Sequence, residues 1–443
     1  MASRRVFLAS SAAALAAPWQ SLEAARVQSA IEVDAAALRA RIEALSQFGR
    51  PDGGTFESGV SRVAYSDADV AGRKYLIELM RHAKLQPRID AAGNILGRRE
   101  GKDRSAPPIV FGSHIDSVPS GGNFDGDLGS LAALGVMEAL DKAAHTTRHP
   151  LEIAIWSAEE GVAFGRGLAG SRIVAGDLAP ADMTATWNGM TRAEAITKIG
   201  GAPERIEAAI RAKGSLHCYL ELHIEQGGSL DAREIPVGVV EGIVSIQRYR
   251  AVITGFANHA GTTPMPDRQD ALIAASRLTL AVRETVTSRP GRQVGTVGHL
   301  TVEPNAPNVV PGKVQLTIEL RDLSPDVLVA LADDIKARAV EIARTSKTTI
   351  EVTSLGGNPP ALADARVHRA IERASSSRGL ATVRLPSGAG HDAQMMAQLG
   401  PMGMIFVPSV GGISHSPREL TRWQDCTNGA NVLLSTILEM DQG

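Results

Sequence analysis

Pro108-Ile109-Val110-Phe111-Gly112-Ser113-His114-Ile115-Asp116-Ser117-Val118-Pro119 passes from a short apolar run directly into a polar loop. The run Pro108 to Ser113 is bounded by proline and glycine and is too short for a helix, so it predicts a buried strand. Leu151 to Ser157, Leu216 to Leu222 and Met404 to Val407 have the same form. Each gives way within a few residues to His, Asp or Glu, and in open α/β sheets ligands sit just outside the carboxyl ends of strands. From about Ala35 to Val240 such runs alternate with longer amphipathic stretches, which predicts an α/β layer structure. Between Gly242 and Gly357 the order changes. Strands are expected near Ile246 to Thr254, Val294 to Val302, Lys313 to Arg321 and Thr348 to Ser354, and helices near Asp267 to Val286 and Pro325 to Thr345. That split βαβ order predicts a ferredoxin-like α+β domain inserted into the larger one. The expected division is a main domain of residues 35–241 and 358–443 and an insert of residues 242–357.

At 443 residues the chain exceeds the roughly 100 to 200 residues of one domain. Hydrophobic residues at 44% and charged residues at 21% are ordinary for a soluble globular protein. A net charge of -2 and 4% aromatics provide neither the basic footprint nor the stacking surface of a nucleic-acid binder. The first 25 residues differ from the rest: Ser3-Arg4-Arg5-Val6-Phe7-Leu8 is a twin-arginine pattern followed by the Ala-rich stretch Ala9 to Ala17. Residues 1–25 are therefore expected to be a twin-arginine signal peptide, removed on export to the periplasm. The stretch is shorter than the about 20 apolar residues of a spanning helix, so no membrane anchor is expected. Cys218 and Cys426 are too few and too far apart for a disulfide framework or a cysteine metal site.

Four segments carry candidate chemistry. In the first, His114 and Asp116 precede Gly121-Gly122-Asn123-Phe124-Asp125-Gly126. An imidazole with a carboxylate two residues on reads as a ligand and its orienting partner, and Asp125 as a carboxylate able to bridge two ions. In the second, Glu159 and Glu160 follow a strand; adjacent side chains cannot face one ligand in the same way, so one can bind metal while the other remains a general base. The third places His223 and Gln226 at a strand end, and the fourth is the Gly-rich loop Gly411-Gly412-Ile413-Ser414-His415. Taken singly, each also reads as a structural loop or an acidic helix start. Together His114, Asp125, Glu160, His223 and His415 form a mixed imidazole and carboxylate set suited to Zn or Mn. Arg321, ending a strand of the insert, has the planar fork that binds a carboxylate. His82, His145, His149, His217, His299 and His368 lack a nearby acid at useful spacing and read as structural or solvated; His391, before Asp392 in a Gly-rich setting, reads as a site wall.

These segments resemble the hydantoinase/carbamoylase branch of the M20 metallohydrolases, which includes N-carbamoyl-L-amino-acid hydrolases and allantoate amidohydrolases. The resemblance runs from about Leu45 to the C-terminus. It includes Asn258-His259-Ala260-Gly261-Thr262-Thr263-Pro264-Met265, Pro307-Asn308-Val309-Val310-Pro311-Gly312 and Ser387-Gly388-Ala389-Gly390-His391-Asp392-Ala393. It implies an α/β, phosphorylase/hydrolase-like metallopeptidase catalytic domain, with the ferredoxin-like insert serving as lid and homodimerisation surface. It also implies two divalent ions per subunit, Zn, Mn or Co. His114 and His223 would hold one, Glu160 and His415 the other, with Asp125 between them. By the same resemblance Glu159 is the base, Asp116 stands behind His114, and His259 stabilises the oxyanion, from its own chain or from a partner subunit. Arg321 becomes the carboxylate clamp and Asn308 its polar partner, with Gln226 also near the substrate. Arg248 resembles the allantoate enzymes, where a second guanidinium would suit a second ureido group.

The expected activity is hydrolysis of the carbamoyl C–N bond of a small carboxylate substrate, foremost an N-carbamoyl-L-amino acid, yielding ammonia, carbon dioxide and the amino acid. A divalent ion lowers the pKa of bound water from 15.7 towards about 7, which brings hydroxide within reach near neutrality. Allantoate is the alternative substrate. A dipeptidase or aminoacylase would use the same metals and base. A non-catalytic periplasmic solute-binding protein would also be an exported two-domain α/β chain, but it leaves Glu159, Glu160 and the strand-end histidines unexplained.

Overall fold

A computed structural model of the protein describes residues 31–178 and 180–442; the expected export signal lies outside the described residues. The chain forms two compact units. One comprises residues up to Glu241 with Ala363–Leu385 and Gly390 onward, the other Gly242–Leu362 with Pro386–Ala389. In chain order the principal strands are β1 (Arg88–Ile89), β2 (Ile95–Arg99), β3 (Ile109–His114), β4 (Leu151–Trp156), β5 (Cys218–Ile224) and β6 (Val237–Ile243). The second unit contributes β7 (Ser245–Thr254), β8 (Val294–Glu303), β9 (Lys313–Asp322) and β10 (Thr349–Asn358), and the chain returns to the first with β11 (Met402–Val407). The longer helices are α1 (Ala35–Leu45), α2 (Asp67–His82), α3 (Asp127–Lys142), α4 (Ala271–Thr287), α5 (Pro325–Ser346), α6 (Ala365–Ser377) and α7 (Trp423–Asp441). Among the described residues no helix is long and apolar enough to cross a membrane.

The first unit's sheet runs β1-β2-β4-β3-β5-β11-β6. Its central strands β4, β3, β5 and β11 pair in parallel, and every residue in them is buried. Burial on both faces is what parallel pairing demands, and it explains why these strands read as unbroken apolar runs rather than alternating ones. Because the four are parallel, their carboxyl ends gather at one edge of the sheet. There His114 ends β3, and His223 and Ile224 end β5, paired with Phe406 and Val407 of β11. The sequence reading stops β5 at Leu222. In the structure pairing with β11 carries the strand on to Ile224, a polar side chain being acceptable where the strand opens onto a site.

The second unit is an antiparallel sheet ordered β8-β9-β7-β10. Alternate residues of β9, Val314, Leu316, Ile318 and Leu320, are buried in one cluster with Ala274, Leu278 and Val282 of α4 and Leu331 and Ile335 of α5. That is the ferredoxin-like arrangement: a half-buried sheet with both helices on one face. The first helix begins at Ala271 rather than near Asp267. Asp270 accepts from the amides of Leu272 and Ile273 as an N-cap, and Met265–Asp267 form a separate tight turn before it.

Candidate metal centre

The two strand-end histidines present one nitrogen each. Nδ1 of His114 donates to the carbonyl of Asp116 at 2.9 Å, and Nδ1 of His223 donates to the carbonyl of Ile224 at 2.9 Å. A carbonyl can only accept, so Nδ1 carries a proton in both rings, and each ring in its neutral form offers the Nε2 lone pair. Both Nε2 atoms face Oδ1 of Asp125, at 3.5 Å from His114 and 3.1 Å from His223. On the other side of the same carboxylate, Oδ2 lies 3.3 Å from Nε2 of His415, which lies 3.3 Å from Oε2 of Glu160. Two triads result, His114–Asp125–His223 and Asp125–Glu160–His415, each with ligand atoms within 4.8 Å of one another, and Asp125 belongs to both. Gln226 reaches this carboxylate as well, its Nε2 donating to Oδ2 at 2.7 Å.

Backbone geometry brings these side chains together. Gly126 has φ +67°, and a Cβ there would stand 2.5 Å from the His114 ring, so only glycine lets the Asp125 loop close over the imidazole. The carboxylate of Asp116 accepts from the amides of Glu159 at 3.0 Å and Glu160 at 3.2 Å. Its nearer oxygen is 3.8 Å from His114 Nδ1, so the ring is oriented by the Asp116 carbonyl, while the Asp116 side chain pins the turn that holds both glutamates. That turn is tight enough to place Ala158 at φ +53°. It sends the neighbouring carboxylates to different places: Glu160 to His415, and Glu159 to within 3.7 Å of Nε2 of His114.

The electrostatics call for cations. Burial pushes Glu159 well above the usual carboxylate range, Glu160 and other acids adding to it despite His114. Burial and then Asp125 push Glu160 up to about 8. Burial opposes a charge on His114, yet the carboxylates of Glu159, Asp125 and Asp116 outweigh it and hold its pKa well above the usual imidazole value. Two buried ligand atoms, His223 Nε2 and Glu160 Oε1, have no hydrogen-bond partner. Buried polar atoms without partners are costly, and an ion in each triad would remove that cost. A donor set of imidazole nitrogens and carboxylate oxygens, with lone pairs converging from two sides of one aspartate, fits a pair of divalent ions.

His391 is buried with its ring edge-on to His223, centroids 4.5 Å apart, and also against Phe406. Burial first, and the neighbouring His223 second, keep its pKa well below the usual value, so it lines the centre as a neutral ring. Other polar residues at this centre were not singled out from the sequence. Glu419 accepts from the amides of Phe124 and Asp125 and from Ser414. Glu221, under the centre, accepts from Ser113 and from the amide of Ala393. Their partners are remote in sequence; the usable signal was Gly122, where a Cβ would stand 2.1 Å from Oε1 of Glu419.

The remaining predicted residues lie in the second unit. His259 pairs with Val309 in a short bridge, and Ala260 donates to the carbonyl of Asn308, which makes His259 and Asn308 neighbours. Nδ1 of His259 accepts from the amides of Gly261 and Thr262, so a neutral ring carries its proton on Nε2 as a free-standing donor. Arg248 and Arg321 converge on Glu319, at 2.7 Å and 2.8 Å from their Nε atoms, and Arg321 also donates to the carbonyl of Gly388. The register places Arg248 directly across from Glu319. The two guanidiniums are therefore joined through a carboxylate supplied by the chain itself.

The family description "Peptidase family M20/M25/M40" matches residues 110–439. The chain is 38% identical over 404 residues to an N-carbamoyl-L-amino acid amidohydrolase of Geobacillus stearothermophilus, covering 91% of this chain and 98% of that one. It is 36% identical over 421 residues to a ureidoglycolate hydrolase of Arabidopsis thaliana, covering 93% and 88%. The crystal structure of an amidase of the hydantoinase/carbamoylase family from Burkholderia multivorans superimposes with a TM-score of 0.84 at 34% identity, covering 93% of this chain and 99% of that one.

Proposed function

As the chain belongs to peptidase family M20/M25/M40, among relatives that cleave carbamoyl and ureido C–N bonds, we propose that it hydrolyses the carbamoyl group of an N-carbamoyl-L-amino acid. It is a metal-dependent hydrolase of C–N bonds other than peptide bonds. The observation that carries the two-ion reading is the pair of triads sharing Asp125, and the carbamoyl substrate rests on the relatives at 38% and 36% identity. His114, Asp125 and His223 would hold one divalent ion and Asp125, Glu160 and His415 a second, of Zn, Mn or Co. Once bound, such a pair polarises a carbonyl oxygen and acidifies water.

The chain's own residues do the rest. Glu159, buried and held by the Asp116 clamp on its amide, takes the proton of the attacking water. The water oxygen bonds to the carbamoyl carbon, the bond to the substrate's α-nitrogen breaks, and Glu159 returns the proton to that nitrogen. The carbamate released decomposes to ammonia and carbon dioxide. His259 donates from Nε2 to the developing oxyanion, a contribution worth about 3–4 kcal/mol per donor in comparable sites. Arg321 takes the substrate carboxylate, with Asn308, Gln226 and Arg248 as further polar contacts. Dimerisation through the second unit and twin-arginine export to the periplasm complete the proposal, the latter resting on Arg4 and Arg5.

Allantoate is the second reading, favoured by the arginine at 248, which would take a second ureido group on leaving the carboxylate of Glu319. The test is ammonia release by chain loaded with Mn, Zn or Co from N-carbamoyl-L-amino acids, N-carbamoyl-β-alanine and allantoate, beside a set of dipeptides. Turnover of carbamoyl amino acids above the others is expected. Cleavage of dipeptides alone would overturn the proposal, and binding without turnover of any of these would make the chain a solute receptor.

A further inference from the structure

Glu419 lies in the segment after β11, four residues past His415, and its side chain is 4% exposed. Oε1 accepts the amides of Phe124 at 3.0 Å and Asp125 at 3.1 Å, reaching across 294 residues of sequence to the loop that carries the shared ligand. Gly122 leaves the room this carboxylate occupies. Oε2 lies 2.8 Å from the hydroxyl of Ser414, and that same hydroxyl lies 3.1 Å from Oδ2 of Asp125. A serine hydroxyl has one proton and can donate it to only one of the two acids at a time.

We propose that Glu419 is a positioning residue for the second metal position: it fixes the backbone of Asp125 and draws the Ser414 proton to itself, so that Oδ2 of Asp125, which already accepts from Gln226, keeps its other lone pair for the ion held with Glu160 and His415. This rests on the two-ion reading of the centre. Without a carboxylate oxygen accepting at 419, the Ser414 proton turns to Oδ2 and competes with that ion. A glutamine at 419 makes the competition worse: its carbonyl keeps the two amides, and its NH2 donates to Ser414, directing the hydroxyl proton onto Asp125. The His114–Asp125–His223 position meets Oδ1 and is spared.

The test is calorimetric titration of the full chain, stripped with chelator, with Mn2+. Wild type taking up two ions is the control, and fewer than two would contradict the two-ion reading itself, independently of Glu419. Glu419→Gln is expected to weaken the second ion by about tenfold to a hundredfold, the range for loss of a partner behind a metal ligand, and Ser414→Ala by no more than about threefold. The double variant, with no hydroxyl to misdirect, should recover most of the affinity lost in Glu419→Gln, and added Mn2+ should restore turnover in the single variant. Equal binding by wild type and Glu419→Gln, or a double variant no better than Glu419→Gln, overturns the proposal. If Glu419→Gln does not fold, Glu419→Asp in the same titration takes its place. It withdraws the carboxylate from the two amides, so weakening of the second ion is again expected and unchanged affinity again overturns it.

Discussion

At the centre, one aspartate belongs to both triads and one turn sends two adjacent glutamates to different places. Glu159→Gln leaves both triads intact and removes the proton carrier, so kcat should fall by about 10²–10⁴-fold while ion uptake is unchanged. Stopped-time ammonia assays paired with elemental analysis decide this, and full turnover in the variant would remove Glu159 from the chemistry. Arg321→Ala should act mainly on KM for carboxylate substrates, since a clamp that binds ground and transition states alike leaves kcat nearly untouched. Identical KM values for the variant and wild type would place the clamp elsewhere. The candidate positions His114, Glu160, His223 and His415 were legible in the sequence because each follows a short apolar run, and Asp125 because it sits in the Gly-rich loop after the first of these runs. Asp116 was legible as a partner but not as to which of its atoms does what: its carbonyl orients His114 and its carboxylate holds the glutamate turn. Glu419 and Glu319 were not legible, because each is defined by partners on other strands or loops that no local period reveals.

Between elements, Arg62 joins three pieces of the first unit. Its guanidinium donates to the carbonyls of Leu45, the last residue of α1, and of Phe48 beyond it, to that of Ile115 beyond β3, and to the carboxylate of Asp127 at the start of α3, and both partners of this ion pair are 1% exposed. Burial raises Asp127 to about 6 even beside this arginine. Removing one partner of a buried pair leaves an uncompensated charge, so Arg62→Met should cost about 3–5 kcal/mol of stability in urea unfolding. A midpoint equal to that of wild type would show that the three pieces hold without the tie. The elements themselves were largely readable from the sequence. Parallel strands appear as solid apolar runs because both faces are covered, and the second unit's strands alternate because one face is wet. The ends were less readable: β5 continues through His223 because its neighbour β11, distant in sequence, offers pairing that the residues of β5 do not advertise.

For the molecule as a whole, the centre links metal content to stability. Burial, then Asp125, raises Glu160 to about 8 and Glu419 to about 7, and a hydrogen bond to Asp125 leads in raising His415 to about 9. Unfolded, the carboxyls titrate near 4.5 and the imidazole near 6.5. All three bind protons more tightly when folded. The stability they contribute is therefore complete below these unfolded values and is lost as pH rises through about 7, 8 and 9. Chelator-treated protein should melt progressively lower from pH 5 to about 9, and metal-loaded protein should not, because the ions replace the protons. Parallel melting curves with and without metal would refute this coupling. The order of the first sheet has one more consequence. β11, residues 402–407, sits between β5 and β6, so a strand that follows the whole second unit in the chain must slot between two strands from before β7. His415 follows it, so the Asp125–Glu160–His415 triad draws on residues from both sides of the second unit, whereas His114, Asp125 and His223 all precede it. A chain that has emerged only as far as the second unit therefore already carries every residue of one triad and lacks a member of the other.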